Sequence, residues 1–102
     1  MKIGIPKEIH QGEMRVATTP EAAAQIMKLG FSVSIESGAG LGADISDEAY
    51  KEAGVEIVSD TRTLWKQSDI VMKVRAPERN LKLAIEETDL LSPGACLISF
   101  IW

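Results

Sequence analysis

Two rhythms of apolar and polar residues alternate along the chain. Lys2-Ile3-Gly4-Ile5 is a short apolar run closed by Pro6, which predicts a strand, and the polar stretch from Lys7 to Met14, with Gly12 inside it, predicts a loop. Thr19-Pro20-Glu21 carries the marks of a helix start: a hydroxyl N-cap, a proline at the first helical position and an acid in the first turn. Ala22, Ile26 and Leu29 follow at helical spacing until Gly30. The period then shortens to two in Phe31-Ser32-Val33-Ser34-Ile35, a second strand. After a glycine loop, Ser46-Asp47-Glu48 caps a short helix that runs to Gly54, and Val55-Glu56-Ile57-Val58 predicts a third strand. Thr61 to Gln67 offers one or two helical turns, and Asp69 to Val74 a fourth strand closed by Ala76-Pro77. Glu78 to Leu91 is charged and weakly periodic, and is expected to be helical in part.

Ser92-Pro93-Gly94 turns the chain into its last run, Ala95-Cys96-Leu97-Ile98-Ser99-Phe100-Ile101-Trp102. A run of this composition reads as a strand buried on both faces, which in a parallel sheet needs a following helix to cover it. No such helix is encoded, so the sequence is expected to be a piece of a larger protein, truncated after its last strand. The order β-α-β-α-β-α-β-α-β predicts an α/β fold, an open and mostly parallel sheet of Rossmann or flavodoxin type with right-handed crossovers and helices on both faces. Residues 1–102 form one domain in this reading, with no repeat or linker to divide them.

With 102 residues, 45% of them apolar, the chain is long enough to bury a core. A formal net charge of -4 excludes nucleic acid and anionic membrane surfaces as partners, since both demand a basic patch. The single cysteine, Cys96, lies inside the last apolar run, where a buried reduced thiol is expected, in keeping with a reducing compartment. No signal-peptide pattern opens the chain, and no apolar run approaches the ~20 residues of a spanning helix.

Gly38-Ala39-Gly40-Leu41-Gly42-Ala43 fits G-x-G-x-x-G/A after a strand, with Asp60 downstream at the spacing of a ribose-binding acid. That motif works when the helix begins within the glycines and aims its amides at a pyrophosphate. Here Asp44-Ile45-Ser46 intervene, the helix has its own cap, and the loop reads as a tight turn with no cofactor-binding residues. Arg15 ends the first loop beside Val16-Ala17, where a guanidinium can clamp a carboxylate or phosphate, or stand as a surface or ion-paired side chain. Lys73 and Arg75 lie two apart at the carboxyl end of the fourth strand, where open parallel sheets bind ligands. Within an apolar strand Lys73 must pair, snorkel or face a cleft. Arg15, Lys73 and Arg75 are the substrate-pocket candidates. His10 reads as solvent-exposed and Trp65 as core. No catalytic set, metal cluster or phosphate loop is present in the sequence.

The stretches "GIPKE", "RVATTP", "ESGAG", "KVRAP" and "SPGACLISFIW" occur together and in order. On these residues the chain resembles, from end to end, the N-terminal domain shared by alanine dehydrogenase and the alpha subunit of proton-translocating NAD(P) transhydrogenase. The resemblance implies a two-lobed parent whose NAD-binding lobe follows this segment, so that NAD is the cofactor of the parent and its site lies mostly downstream. In alanine dehydrogenases the arginine of "RVA", a lysine of "KVK-P" and a histidine at the end of the last strand hold and protonate pyruvate. Those positions correspond to Arg15, Arg75 and Trp102, while Lys73 matches a lysine that both branches carry. An indole cannot act as acid or base, so the proton-shuttling role is absent and "SFIW" resembles the transhydrogenase branch. For that branch the resemblance implies hydride transfer from NADH to NADP held by a beta subunit, driven by proton flow through a membrane component. It further implies a homodimeric soluble part, peripheral on the cytoplasmic side of the bacterial inner membrane. An alanine dehydrogenase fragment and a non-catalytic small-ligand or protein-binding module are the competing readings.

Overall fold

The computed structural model describes residues 1–81 and 83–99. Strand β1 (Lys2–Ile5) leads to helix α1 (Pro20–Lys28), strand β2 (Ser32–Glu36), helix α2 (Asp47–Glu52), strand β3 (Glu56–Val58), helix α3 (Thr61–Gln67) and strand β4 (Ile70–Lys73). A small antiparallel pair, β5 (Arg79–Asn80) and β6 (Ile85–Glu86), precedes the last strand, β7 (Cys96–Ser99). The main sheet has the order β3-β2-β1-β4-β7, and each pair in it is parallel. This is the open α/β arrangement expected from the alternation of strands and helices.

Pleating sorts the side chains. Ile3 pairs with Val33 and Ile5 with Ile35, and all four join Ala23 of α1 and Tyr50 of α2 in the core on one side of the sheet. Gly4 pairs with Ser34, and these small residues face the other side, under α3. A Cβ on Gly4 would stand 1.9 Å from Ser68 Oγ and 3.5 Å from the Leu64 carbonyl oxygen, so glycine is what lets α3 lie against β1 and bury Leu64 and Trp65. Each helix begins on the side chain before it. The Thr19 hydroxyl accepts from Ala22 N, the Ser46 hydroxyl from Ala49 N, and the Asp60 carboxylate from Thr63 N.

Two expectations are corrected. Among the described residues from Glu78 to Leu91 there is no α-helix. The segment forms the β5–β6 pair, with Ala84 at φ 53, followed by a 3-10 turn at Glu87–Leu90. Reciprocal bonds from Glu87 N to the Glu78 carbonyl (2.9 Å) and from Glu78 N to Glu87 Oε1 (2.9 Å) close the segment on itself, which its charged, weakly periodic sequence could not do as an amphipathic helix. The second correction concerns β7. It is an edge strand on which Cys96 and Ile98 are exposed, so it is not buried on both faces and the thiol is not a core thiol. The register explains this: Cys96 and Ile98 pair with Ile70 and Met72 on the α1/α2 side, whereas α1 lies over β2 and α2 over β3. Phe100, Ile101 and Trp102 lie outside the described residues.

Candidate functional site

From β1 the chain winds outward to β2 and β3, and then returns to place β4 and β7 on the other flank of β1. The winding reverses between β1 and β4, the place where open α/β sheets form a crevice. The loop after β1 brings Glu8, His10, Glu13 and Arg15 to this point, and the carboxyl end of β4 brings Lys73 and Arg75.

Lys73 pairs. Its side chain is fully buried, and Nζ donates to Glu8 Oε1 at 2.9 Å and to the Arg75 carbonyl at 2.8 Å, with Glu87 Oε1 at 3.5 Å. Three acceptors thus face the three protons of the ammonium. Glu8 is committed further, accepting from Val74 N at 2.7 Å and Arg75 N at 3.2 Å. Burial pushes the Glu87 carboxyl above the usual glutamate range, against the pull of the Glu78 amide and of Lys73. Of the alternatives for a lysine in an apolar strand, burial with carboxylate partners is the one realised.

Arg15 and Arg75 converge, but on an internal group. Arg15 holds Glu13 in a fork, Nε to Oε2 at 2.9 Å and Nη2 to Oε1 at 2.8 Å, and its backbone N–H adds a bond of 2.9 Å. Arg75 Nε donates to Glu13 Oε1 at 2.7 Å. The Glu13 side chain is covered by these guanidiniums although the loop around it is exposed. The hydrogen bonds from Arg15, with that from Arg75, hold its carboxyl well below the usual range, and Glu13 raises Arg15 in return. A carboxylate clamp is therefore present, and this chain's own Glu13 lies in it.

The glycine loop is spent within the fold. Asp47 accepts from Gly38 N at 2.9 Å and from the Ser37 hydroxyl at 2.7 Å, and the Gly38 amide, followed by that hydroxyl, lowers the Asp47 carboxyl. A Cβ on Gly40 would meet the Ile45 carbonyl and Tyr50 at 2.8 Å, and one on Gly42 the Met14 backbone at 3.0 Å. α2 starts only at Asp47, and Asp60, the ribose-acid candidate, caps α3 through Thr63. The Gly38 amide, first of the glycine run, thus already serves the carboxylate of Asp47.

Neighbouring residues complete the picture. His10, read as solvent-exposed, is half-buried, with Nδ1 2.5 Å from Glu78 Oε2. Trp65 is core, as read, and its Nε1 has no partner among the described residues. Trp102, the counterpart of the histidine, lies outside the described residues. Among the described residues no group of three or more His, Cys, Asp or Glu is placed to hold a metal. Glu8, Glu13 and Glu87 escaped sequence reasoning. The signal for Glu8 was available: a cation inside an apolar strand demands a carboxylate, and Glu8 leaves the adjacent strand at the same end.

Comparison with known proteins adds the following. The family model described as alanine dehydrogenase/PNT, N-terminal domain, matches residues 4–102. The chain is 51% identical over all 102 residues to NAD(P) transhydrogenase subunit alpha of Cereibacter sphaeroides and spans 18% of that protein. It is 47% identical over 77 residues, 76% of its length, to alanine dehydrogenase of Bacillus subtilis, and spans 20% of it. The crystal structure of a transhydrogenase from Sinorhizobium meliloti superimposes with a TM-score of 0.84 at 34% identity, over 97% of this chain and 27% of the other.

Proposed function

Because the chain belongs to the alanine dehydrogenase/PNT N-terminal domain family, we propose that it is the first segment of the NAD(H)-binding component of an NAD(P) transhydrogenase. The observation that carries this reading is the 51% identity to a transhydrogenase alpha subunit along the whole length of the chain, of which it spans 18%. In this reading the parent passes hydride between NADH and an NADP held by a beta subunit, coupled to proton translocation through a membrane component. Its soluble part is dimeric and rests on the cytoplasmic side of the bacterial inner membrane. Among the described residues no helix is long and apolar enough to cross a membrane.

The nucleotide lobe lies downstream in the proposed parent, and the residues here contribute no group to the hydride step. Direct transfer between two rings needs positioning and exclusion of water rather than an acid or base beside them. The charge pairing supports this assignment of roles. Lys73 is consumed by Glu8, Glu87 and the Arg75 carbonyl, and Glu13 lies between Arg15 and Arg75, so these cations organise the end of the sheet rather than await a substrate. The alanine dehydrogenase alternative draws on the same geometry, since Arg15 and Arg75 would clamp a small carboxylate if Glu13 withdrew.

Two assays decide between these readings. Titration of the 102-residue chain with NADH, followed by nucleotide fluorescence, is expected to show no saturable binding, and micromolar binding lost on Gly40→Leu would restore the glycine loop as a site. In the full-length parent, NADH oxidation is expected to depend on the beta subunit and NADP and not on pyruvate and ammonia. Pyruvate-dependent oxidation abolished by Arg15→Ala would move the assignment to alanine dehydrogenase.

A further inference from the structure

The segment from Glu78 to Leu91 meets the loop after β1 and the carboxyl end of β4, and charge holds it there. None of its described apolar side chains is buried. The two buried side chains in it are Asn80 and Glu87, both polar, and no residue of it belongs to the hydrophobic core. Arg79 bonds Glu86 (3.5 Å) and the Ala84 carbonyl (3.2 Å), and Glu78 and Glu87 bond each other, but these contacts shape the segment without tying it to the sheet. Among the described residues two charged contacts do that: His10 Nδ1 with Glu78 Oε2 at 2.5 Å, and Lys73 Nζ with Glu87 Oε1 at 3.5 Å.

Both contacts depend on a proton, and in the same sense. Glu87 faces Lys73 from β4, Glu8 from the loop after β1 and the Glu78 amide; α3, which lies against the Glu87–Leu90 turn, brings it no charged partner among the described residues. One ammonium thus serves two buried carboxylates, and with both ionised the site would hold a net negative charge away from water. Burial, aided by the Glu8 charge, raises the Glu87 carboxyl against the Glu78 amide and Lys73. Release returns Glu87 to water and to its ordinary value of 4.5, so docking is favoured by the bound proton and weakens as pH rises through the raised value. His10 forms an ion pair with Glu78 only while the imidazole carries both protons, and imidazole changes charge between about pH 5 and 8. No other described side chain makes a hydrogen bond or ion pair with His10. The bonds between Glu78 and Glu87 join the two contacts, so loss of one loosens the backbone that carries the other.

We propose that this segment is a proton-controlled strap, docked while His10 and Glu87 hold their protons and released as pH rises. Release is local, because the strands of the main sheet pair with one another and not with the strap. Its consequence is access. Glu78 to Leu81 form one wall of the groove over the carboxyl ends of β1, β2 and β3, and Glu87 covers the fully buried Lys73 side chain. Withdrawal of the strap opens the switch point of the sheet to solvent.

The test follows amide exchange in the 102-residue chain between about pH 5 and 8, with each rate corrected for the base catalysis of exchange itself. The amides of positions 78 and 87, both bonded within the strap, report its opening, and those of Ile3 to Ile5 report the opening of the whole fold. Protection at positions 78 and 87 is expected to stay below that of β1 and to fall several-fold as pH rises. Glu87→Gln, neutral throughout, is expected to keep more of that protection at the alkaline end than the wild type. His10→Gln is expected to lose protection at the acid end, and the double variant to give a flat profile. Three outcomes overturn the proposal: wild-type protection at positions 78 and 87 that does not change with pH, protection there equal to that of β1 at each pH, or a double variant that keeps the full pH dependence.

Discussion

Replacing Lys73 by methionine would leave Glu8 and Glu87 facing one another in a buried site without their cation. Removing one partner of a buried ion pair costs about 3–5 kcal/mol, because the charge left behind is uncompensated. Lys73→Met is therefore expected to lower the urea midpoint sharply, and Lys73→Met combined with Glu8→Gln and Glu87→Gln to lower it less than Lys73→Met alone. A triple variant weaker than the single one would show that the carboxylates act mainly through their backbone bonds. Glu87 also sets a pH dependence. Its carboxyl is raised from 4.5 in the folded chain, so the folded state keeps a proton that the unfolded state has released. Stability from this group is then full below about 4.5 and falls as pH rises through the raised value. Glu13 and Asp47 act in the opposite sense, since their lowered carboxyls lose stabilisation as pH falls below the ordinary values of 4.5 and 3.8. Urea midpoints of the wild type and Glu87→Gln, compared from about pH 5 to 8, are expected to show the wild type losing ground to the variant as pH rises.

At the scale of elements, the close approach of α3 to β1 rests on Gly4. Gly4→Ala would push a methyl to 1.9 Å from Ser68 Oγ and 2.9 Å from Ser68 Cβ, and overpacking of this kind costs about 1–3 kcal/mol. Ser68→Ala in the same chain removes the nearer atom and is expected to restore part of the loss in a thermal melt; no recovery would place the clash in the helix backbone. The caps Thr19 and Ser46 and the start of α3 were legible in the sequence, because capping is a local contest between a side chain and the next three amides. The β5–β6 pair was not legible. Its two-residue strands have no periodicity to read, and what fixes them is the contact of Glu87 with Glu78 and Lys73 across the fold. Asp60 shows the same limit from the other side: its spacing imitated a ribose acid, and only its bond to Thr63 reveals a cap. The cations of the candidate site were legible as residues, but their carboxylate partners were not, since Lys73 and Glu8 are brought together by sheet order and not by sequence distance.

For the molecule as a whole, β1 is paired on both sides, whereas β3 and β7 each keep an open edge. Amide exchange is expected to be slowest at Ile3 to Ile5 and fastest among strand amides at β7, where Cys96 and Ile98 are exposed; protection of β7 equal to that of β1 would mean that the sheet opens only as a unit. The order of the strands also bears on how the chain is made. A ribosome releases β1 first, and β2 can take one side of it early, but the other side waits until Ile70 and Val71 have left the exit tunnel. Through that interval the nascent chain carries an apolar strand with one unsatisfied edge, and Lys2 holds it in place only after Asp69 has arrived to accept its amide. The central strand of the finished sheet is thus the most exposed strand of the unfinished one, so during synthesis the hazard of mispairing falls on the part of the molecule that is best protected once it is complete.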